Sequence, residues 1–395
     1  MHHRPRNETR WALIGLAWIL ASTPAAATPR VALPAQAPEV PWPTRQWPSG
    51  ALPADVDRGR FAELVELLFS DRGSGGVRDT RALLVVQGGR LVFERYAEGF
   101  GPGQRFHSWS MAKSVTHALV GVLVAQGRLD IAAPAPVAGW QQPGDPRAAV
   151  TLDDLLHMSS GLDNADGLDS MDSFAGRALF GPGSRDPAAY SADVPAVYEP
   201  GRHWAYSTGT TAIVAAIAGR AMQGGAREKL AFMRRELFAP IGMTSMQPEF
   251  ALSGDFVGGA FVHATARDWA RFGTLYLRDG IWEGRRILPE GWVDYARTPA
   301  PAANNATYGA HFWLNEDPAP GQWKMLPGAP PSVFAAEGAS FQLVAMAPSR
   351  DLVLVRLGEA PFENFPKLRR WLGELIALFP PRARSPGAAA GEPAP

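Results

Sequence analysis

The sequence predicts an α+β fold: an antiparallel β-sheet flanked by N- and C-terminal helices, with a helical subdomain inserted into its middle. Strand patterns occur near both ends of the chain, and mainly helical patterns fill the region between them. Of the 395 residues, 46% are hydrophobic, which is ample for a buried core. No internal repeat and no long Pro-rich break divides the interior, so one domain is expected at 57–380.

The two ends of this domain are expected to supply the sheet and its flanking helices. RFAELVELLF, ending at Phe69, has helical spacing, and ALLVVQGGRLVFERYAEG is typical of two strands joined by a tight turn at Gly88-Gly89. Near the C-terminus, FQLVAMAPSRDLVLVRLG predicts strand, turn and strand, and NFPKLRRWLGELIALF predicts an amphipathic closing helix. The α/β part is therefore expected at about 57–110 and 255–380.

The intervening region, about 111–254, is predicted to be the helical part. Thr151 and Asp154 have the spacing of a capping box that opens the helix TLDDLLHM. TTAIVAAIAGRAM, from Thr210 to Met222, has the composition of a buried helix.

The first 27 residues have the layout of a secretory signal peptide. Arginines precede an apolar run from Trp11 to Ala21, and Ala25-Ala26-Ala27 fits an A-x-A cleavage site. A membrane anchor is the alternative, but the apolar run is well short of the roughly 20 residues that span a bilayer. We therefore expect cleavage after Ala27, a periplasmic or secreted mature chain, and no membrane span within it.

Two proline-rich segments border the predicted domain. Residues 28–56 lack periodic apolar positions, which favours an extended linker along the surface. Residues 381–395 have the same character and are expected to form a disordered tail.

Charge and cysteine content exclude several classes of function. Lys plus Arg and Asp plus Glu number 38 each, so no global field draws the chain onto nucleic acid or an anionic membrane. Cysteine is absent, which excludes disulfides, a thiolate nucleophile and a Cys-based zinc site. The chemistry must therefore use oxygen or nitrogen groups, and the expected partner is a small molecule.

The stretch FHSWSMAKSVTHALVG carries a serine and a lysine three residues apart at the start of an apolar helix. Helical spacing places Ser110 in the first turn and Lys113 about one turn later on the same side, so their side chains can meet. The helix N-terminus stabilises an oxyanion, and the dipole together with burial lowers a lysine's pKa until that lysine can accept a proton. A capping serine followed by a solvated lysine is the alternative. Of the four lysines in the chain, only Lys113 follows a serine by three residues.

Other constellations are weaker. The nucleophile elbow G-x-S-x-G is absent, the histidines lack H-E-x-x-H spacing, and the Gly-rich DRGSGGVRD lacks the lysine of a phosphate loop. No metal and no cofactor is therefore expected. The aromatic residues Trp109, Trp204, Trp313 and Phe341 lie near the motifs in sequence and either line an apolar pocket or belong to the core.

A second motif makes the pattern resemble a known superfamily. PGRHWAYSTGTTAIVAAI places Tyr206-Ser207-Thr208 between a Pro-Gly turn and an apolar helix. With Ser-x-x-Lys, and with TLDDLLHMSSGLD, FAPIGMTSM, GGAFVHATARDWARFGTLYLRDGIWEGRRILPEGWV, YGAHFWL and FAAEGASFQLVAMAPSRDLVLVRLG in order, the chain resembles the serine β-lactamase and penicillin-binding protein superfamily. Its class C β-lactamase-like branch of esterases and 6-aminohexanoate-dimer hydrolase-like amidases is the most similar. The resemblance covers about 57–379 and implies a β-lactamase/transpeptidase-like fold.

The resemblance also implies roles for three side chains. Ser110 is the nucleophile that becomes acylated, Lys113 lowers the proton affinity of Ser110, and Tyr206 shuttles the proton between nucleophile and leaving group. An ammonium beside a phenol favours the phenolate, so Lys113 and Tyr206 are expected to act as a coupled general base and acid. A core aromatic residue with a satisfied hydroxyl is the alternative for Tyr206.

Two positions depart from the family pattern. Thr208 stands where Tyr-x-Asn ends in a carboxamide that holds the acyl amide of the substrate, and its side chain is shorter. Ala336-Glu337-Gly338 stands where β-lactamases carry Lys-Thr-Gly, so the cation is missing. The resemblance implies that Gly338 lets the strand approach the substrate and that the N–H of Ala339 joins that of Ser110 in the oxyanion hole.

The expected function is that of an exported serine hydrolase that cleaves an ester or amide through an acyl-enzyme on Ser110. A D,D-peptidase or β-lactamase is one alternative, and a catalytically silent binding protein of the same fold is another. Neutral esters or amides are expected to react better than β-lactams, because Ala336 and Glu337 offer no cation to the β-lactam carboxylate.

Overall fold

The computed structural model describes residues 30–70, 75–77, 79–167, 170–303, 307–318 and 323–381. The α-helices of these residues are α1 (Arg58–Phe69), α2 (Met111–Ala125), α3 (Leu152–Leu156), α4 (Phe174–Leu179), α5 (Pro187–Ala192), α6 (Thr208–Met222), α7 (Ala226–Met233), α8 (Ala266–Leu277), α9 (Trp292–Ala296) and α10 (Phe365–Ala377). The strands are β1 (Thr80–Gln87), β2 (Arg90–Tyr96), β3 (Arg105–His107), β4 (Gln247–Pro248), β5 (Val262–Thr265), β6 (Ile281–Trp282), β7 (Arg285–Arg286), β8 (Trp313–Leu314), β9 (Phe334–Gly338), β10 (Gln342–Ala347) and β11 (Leu352–Gly358).

The main sheet is six-stranded and antiparallel, in the order β2-β1-β11-β10-β9-β8. The predicted hairpin is β1 and β2, whose connecting Gly88 and Gly89 both have positive φ. The predicted C-terminal strand pair is β10 and β11. Because β1 pairs directly with β11, the first and last strands of the domain lie side by side. These pairings confirm the predicted α+β class.

Alternation along the strands gives the sheet two buried faces. Leu83 and Leu343 point to the face covered by α1 and α10. Leu84 and Val344 point to the opposite face, which packs against α8 and continues into the core of the helical subdomain. The sheet therefore separates the two terminal helices from the helices that follow β3.

Helix α2 runs through the core of the helical subdomain and packs against α6 and β9. It is apolar nearly all round, as a helix surrounded by other elements must be, and its residues from Met111 to Leu123 are buried. The capping box predicted at Thr151 and Asp154 is present at the start of α3. The predicted buried helix after Tyr206 is α6.

Residues 30–57, before α1, form several turns and contribute to the core. Val40 and Trp47 are 6% and 8% exposed. The Pro43 carbonyl accepts a hydrogen bond from Nε of the buried Arg271 at 2.7 Å, and the Arg271 guanidinium lies 5.5 Å from the centre of the Trp47 ring. The Pro43 carbonyl, together with the Asp268 carboxylate, thus satisfies a buried arginine, which proline-rich composition alone does not reveal.

The predicted signal peptide and nearly all of the predicted tail lie outside the described residues. Among the residues that are described, each helix is too short or too polar to cross a bilayer.

Candidate active site

Ser110 lies at the junction of β3 and α2, immediately before the first residue of the helix. Within the described residues its hydroxyl makes no capping bond to the first turn of α2. Trp109, just before it, has a left-handed backbone with φ 44°. The serine therefore does not serve as a cap, and its Oγ is available to the neighbouring lysine.

Lys113 is 1% exposed, although it carries an ammonium group. Its Nζ lies 3.1 Å from Ser110 Oγ, 2.8 Å from Thr208 Oγ1 and 2.8 Å from the carbonyl oxygen of Gly259. Burial lowers the pKa of Lys113 to about 8, and the negative charge of Asp166 partly opposes that shift. Lys113 is thus a buried amine that can lose its proton near neutral pH, and not a solvated charge.

Gly259 lets the chain before β5 approach this lysine closely. A Cβ on Gly259 would lie 2.8 Å from Thr208 Cγ2 and 2.9 Å from the Thr208 carbonyl oxygen. Contacts under 3.0 Å force something to move, so a larger residue would displace the backbone that holds the third Lys113 contact.

Tyr206 is brought to the lysine by the N-terminus of α6. Ser207 caps that helix, because its Oγ accepts the N–H of Thr210 at 2.9 Å and donates to the Asn164 carbonyl at 2.7 Å. The Tyr206 ring centre lies 4.8 Å from Lys113 Nζ. The ring stacks on Trp313 with centroids 5.4 Å apart, which fixes its orientation.

Thr208 is the first residue of α6 and is 4% exposed. Its Oγ1 accepts from Lys113 Nζ and donates to Asp166 Oδ2 at 2.6 Å. The Asp166 Oδ1 accepts the Thr208 N–H at 2.5 Å. The Thr208 side chain therefore faces the lysine and a carboxylate, and not an open binding surface.

The C-terminal end of β9 lies directly beside the candidate nucleophile. A Cβ on Gly338 would come within 2.3 Å of the Ser108 carbonyl oxygen and 3.0 Å of the Ser110 nitrogen, so only glycine permits this approach. Ala339, the next residue, is exposed. The N–H groups of Ser110 and Ala339 thus belong to two segments in close contact.

The two residues before Gly338 point to opposite faces of the sheet. Ala336 packs in the core shared with α2. The carboxylate of Glu337 forms an ion pair with Arg369 of α10, at 2.6 Å, on the other face. Glu337 therefore faces away from Ser110, and its charge is satisfied elsewhere.

Aromatic side chains border Ser110 on the side of Trp109. Its ring makes edge contacts with Phe180 and Phe261, each 6.4 Å away between centroids, and Phe180 is 49% exposed. Trp313 borders Tyr206, and Trp204 contacts Tyr308 next to it.

Phe341 belongs to the core and not to this rim. It is fully buried against Phe365 of α10, on the far face of the sheet.

The histidines have other surroundings. His311 lies beneath α2, where its Nδ1 donates to the Leu156 carbonyl at 2.7 Å and its Nε2 accepts from the Thr211 hydroxyl at 3.0 Å. His117 is also buried and lies 2.8 Å from the hydroxyl of Tyr276. In the described parts of the chain, no group of three or more His, Asp or Glu side chains is placed to hold a metal ion.

A comparison of the sequence with known families identifies the family of this fold. The sequence model of the Beta-lactamase family matches residues 65–378. The chain belongs to this family. Family membership makes it a serine hydrolase related to the β-lactamases.

The chain is also similar to individual proteins, one by sequence and two by structure. Over 304 residues the chain is 27% identical to the 6-aminohexanoate-dimer hydrolase of Paenarthrobacter ureafaciens, covering 74% of this chain and 75% of that protein. A Bacillus anthracis protein provisionally named 6-aminohexanoate-dimer hydrolase superposes with a TM-score of 0.64 at 21% identity, over 82% of this chain and 84% of the other. A penicillin-binding protein homologue from Caulobacter crescentus superposes with a TM-score of 0.59 at 17% identity, over 84% and 99%. Both structures share the fold.

Sequence reasoning missed two groups that contact the site, the Asp166 carboxylate and the Gly259 carbonyl. Asp166 is one of several acidic residues in a loop without regular spacing, so no local pattern distinguishes it. Gly259 contributes only its backbone. Tertiary packing alone brings both to Lys113 and Thr208.

Proposed function

We propose that the chain hydrolyses an ester or amide of a small molecule through an acyl-enzyme on Ser110. One observation carries this proposal: Ser110 Oγ lies 3.1 Å from a buried lysine whose pKa is about 8. A neutral amine at that distance can take the hydroxyl proton as attack begins.

Acylation starts with neutral Lys113. Its Nζ removes the proton from Ser110 Oγ while that oxygen forms a bond to the carbonyl carbon of the substrate. The bond to the leaving group then breaks, and the leaving group receives the proton by way of Lys113 and Tyr206. The position of the Tyr206 ring, 4.8 Å from Lys113 Nζ, supports this route.

The negative charge that develops on the substrate oxygen needs donors already in position. The N–H groups of Ser110 and Ala339 are proposed to supply them, and the close approach of Gly338 to Ser110 N supports this assignment. Fixed backbone donors stabilise a transition state without reorganisation, which makes such a site one of the larger contributions to catalysis.

Deacylation reverses the proton movements. A water molecule adds to the acyl carbonyl and gives its proton to the Lys113 and Tyr206 pair. The bond between the carbonyl carbon and Ser110 Oγ breaks, Oγ takes back a proton, and the free acid leaves. No group outside this chain and water is needed for the balance.

The proposed substrates are neutral esters or amides with an apolar acyl part. Ala336 offers no cation, and Glu337 is turned away from Ser110 and paired with Arg369. The Arg202 side chain is 79% exposed and lies 4.0 Å from the Glu199 carboxylate, so its charge is in solvent. Without a charge-assisted hydrogen bond, a β-lactam carboxylate loses about 1.5–3 kcal/mol of binding. The exposed ring of Phe180 near Trp109 supports an apolar acyl group.

Steady-state kinetics on purified protein test this proposal. A short p-nitrophenyl ester, a linear anilide and nitrocefin are compared, with Ser110→Ala as the control for background hydrolysis. The proposal predicts that kcat/KM for the ester exceeds that for nitrocefin by at least about tenfold. An equal or higher value for nitrocefin would favour a β-lactamase or D,D-peptidase, and no Ser110-dependent turnover of any substrate would favour a silent binding protein.

Export is proposed on the N-terminal pattern alone, with the mature domain beginning after residues 28–56. Expression of the full chain in a Gram-negative host, followed by intact mass measurement of the periplasmic protein, tests it. A measured mass equal to that of a chain beginning at Thr28 would support cleavage after Ala27. An uncleaved chain in the cytoplasm would contradict the proposed export.

A further inference from the structure

Asp166 lies in the loop before α4 and reaches the first residue of α6. Its carboxylate accepts two hydrogen bonds from Thr208, from the backbone N–H at 2.5 Å and from the hydroxyl at 2.6 Å. Its own N–H donates to the Tyr206 carbonyl at 3.0 Å. The loop therefore holds both ends of the segment from Tyr206 to Thr208.

These contacts fix the direction of the hydrogen bond between Thr208 and Lys113. A hydroxyl has one proton, and Thr208 donates it to Asp166, so Thr208 Oγ1 can only accept from Lys113 Nζ at 2.8 Å. The Gly259 carbonyl, which is also only an acceptor, takes a second N–H at 2.8 Å. A neutral lysine has two N–H bonds and one lone pair. With both N–H bonds committed, the lone pair is left for the third neighbour, Ser110 Oγ.

We propose that Asp166 is a positioning residue for acylation: by fixing the direction of the Thr208 hydroxyl, it aims the lone pair of neutral Lys113 at Ser110. The inference rests on the proposed function. When the Ser110 proton moves to Lys113 Nζ and Oγ bonds to the substrate carbon, Asp166 stays ionised and Thr208 keeps its proton.

The charge of Asp166 also affects Lys113 directly, so pH must be varied to separate this effect from the positioning role. Burial lowers the pKa of Lys113, and the Asp166 carboxylate opposes that shift. Removing the carboxylate therefore lowers the pKa of Lys113 further, so the lysine becomes neutral at a lower pH. A residue that only caps α6 would change stability and, at a pH high enough for Lys113 to be neutral, would leave the rate of Ser110 labelling per folded molecule unchanged.

The experiment measures the rate at which a fluorophosphonate probe labels Ser110, as a function of pH, together with thermal unfolding. The variants are Asp166→Asn, whose amide can donate to Thr208 and reverse the hydroxyl, Thr208→Val, which removes the hydroxyl, and Thr208→Ser, which keeps it. Asp154→Asn is the matched control, because Asp154 accepts the Thr151 hydroxyl at 2.6 Å at the start of another helix, α3.

Asp166→Asn is expected to slow labelling by about ten- to a hundredfold, a large part of what a positioned proton acceptor contributes. The pH at which the labelling rate begins to rise should also be lower in this variant than in the wild type. Thr208→Val should slow labelling with a smaller pH displacement, since the carboxylate remains, and Thr208→Ser should recover most of the rate. Asp154→Asn should change only the unfolding temperature.

An unchanged labelling rate per folded molecule in Asp166→Asn, measured at a pH where Lys113 is neutral in both proteins, would overturn the inference. Should that variant fail to fold, equal rates in Thr208→Val and Thr208→Ser would overturn it instead. Failure of the wild-type protein to label at Ser110 would refute the proposed function itself, so the two failures are distinguishable.

Discussion

Lys113 and Lys229 are both buried lysines of the helical subdomain, yet their neighbours differ. Lys229, 6% exposed, lies 2.6 Å from the Asp255 carboxylate and 2.9 Å from the Gly254 carbonyl. Lys113, 1% exposed, contacts two hydroxyls and a carbonyl, and one of these hydroxyls, that of Thr208, connects it to the Asp166 carboxylate.

We propose that this difference separates a structural lysine from a reactive one. An ion pair compensates the cost of burying an ammonium, so Lys229 links α7 to the loop at Asp255 as a charged group. Hydroxyl and carbonyl oxygens compensate less, so burial lowers the pKa of Lys113 to about 8. We propose that the surroundings of a lysine, and not its burial alone, decide whether it can serve as a proton acceptor.

The largest expected effect is the difference in acylation rate between Lys113→Ala and Lys229→Ala. Lys113→Ala should lower the rate of Ser110 acylation by roughly a hundredfold or more, because positioned proton transfer is commonly worth that much. Lys229→Ala should keep the rate per folded molecule but destabilise the fold by about 1–3 kcal/mol, since Asp255 loses its partner. Labelling kinetics and thermal melts on both variants measure the two effects. The same loss of rate in both would end the distinction between them.

Tyr206→Phe tests whether the Tyr206 hydroxyl acts together with Lys113 in acylation. Removal of the hydroxyl should also lower acylation by roughly a hundredfold, because the proton loses its route to the leaving group. Since the two groups act as one unit, the double variant with Lys113→Ala should lose much less than the product of the single losses. A double-variant rate equal to that product would show that the groups act independently.

The pH dependence of acylation tests the lowered pKa directly. Lys113 must be neutral to accept the Ser110 proton, and its pKa is about 8, so the wild-type rate should rise with pH and level off above about pH 8. Below that pKa the rate should fall by up to about tenfold for each pH unit, because the neutral fraction falls by that factor. A rate that is level from pH 6 to pH 9 would contradict a lysine base.

The contrast between paired and unpaired buried groups extends to the histidines within and next to α2, and it predicts a smaller effect, on stability. Burial lowers the pKa of His117 well below its ordinary 6.5 and that of His311 to about 3, whereas His157 lies 3.0 Å from Asp153. Since the unfolded chain binds more protons, stability should be complete above about pH 6.5 and fall as the pH falls from there. The loss should reach at most about 1.4 kcal/mol per pH unit for each histidine.

Chemical denaturation at several pH values measures this loss. His117→Gln should flatten the acid dependence, and the exposed His203→Gln should leave it as in the wild type. An equal acid dependence in all three proteins would show that other groups cause it.

The fold could be predicted largely from the sequence because its elements carry local signals. The Gly88-Gly89 turn, the alternating strands β10 and β11 and the apolar helices α2 and α6 each follow from spacing alone. The contact between Ser110 and Lys113 follows from helical spacing in the same way. Local patterns suffice where the partners are close in sequence.

Contacts between distant segments could not be predicted in this way. Asp166 reaches Thr208 from a loop without periodicity, and Trp47 enters the core from a proline-rich segment that composition assigns to a surface linker. The orientation of Glu337 depends on strand alternation and on the arrival of Arg369 from α10. Tertiary packing determines each of these three contacts, and no pattern in a single sequence indicates them.

Labelling with a fluorophosphonate probe, followed by peptide mass spectrometry, tests the central claim most directly. Ser110 should be the one serine modified, since among the residues that the structure describes it alone joins a helix N-terminus to a buried lysine. Ser114 and Ser207 are the neighbouring alternatives, but Ser114 is 1% exposed and donates to the His311 carbonyl, and Ser207 is 0% exposed and caps α6. An adduct on Ser110 that is lost in Ser110→Ala is the predicted result. An adduct on Ser114 or Ser207, or none on protein that hydrolyses esters, would contradict the account.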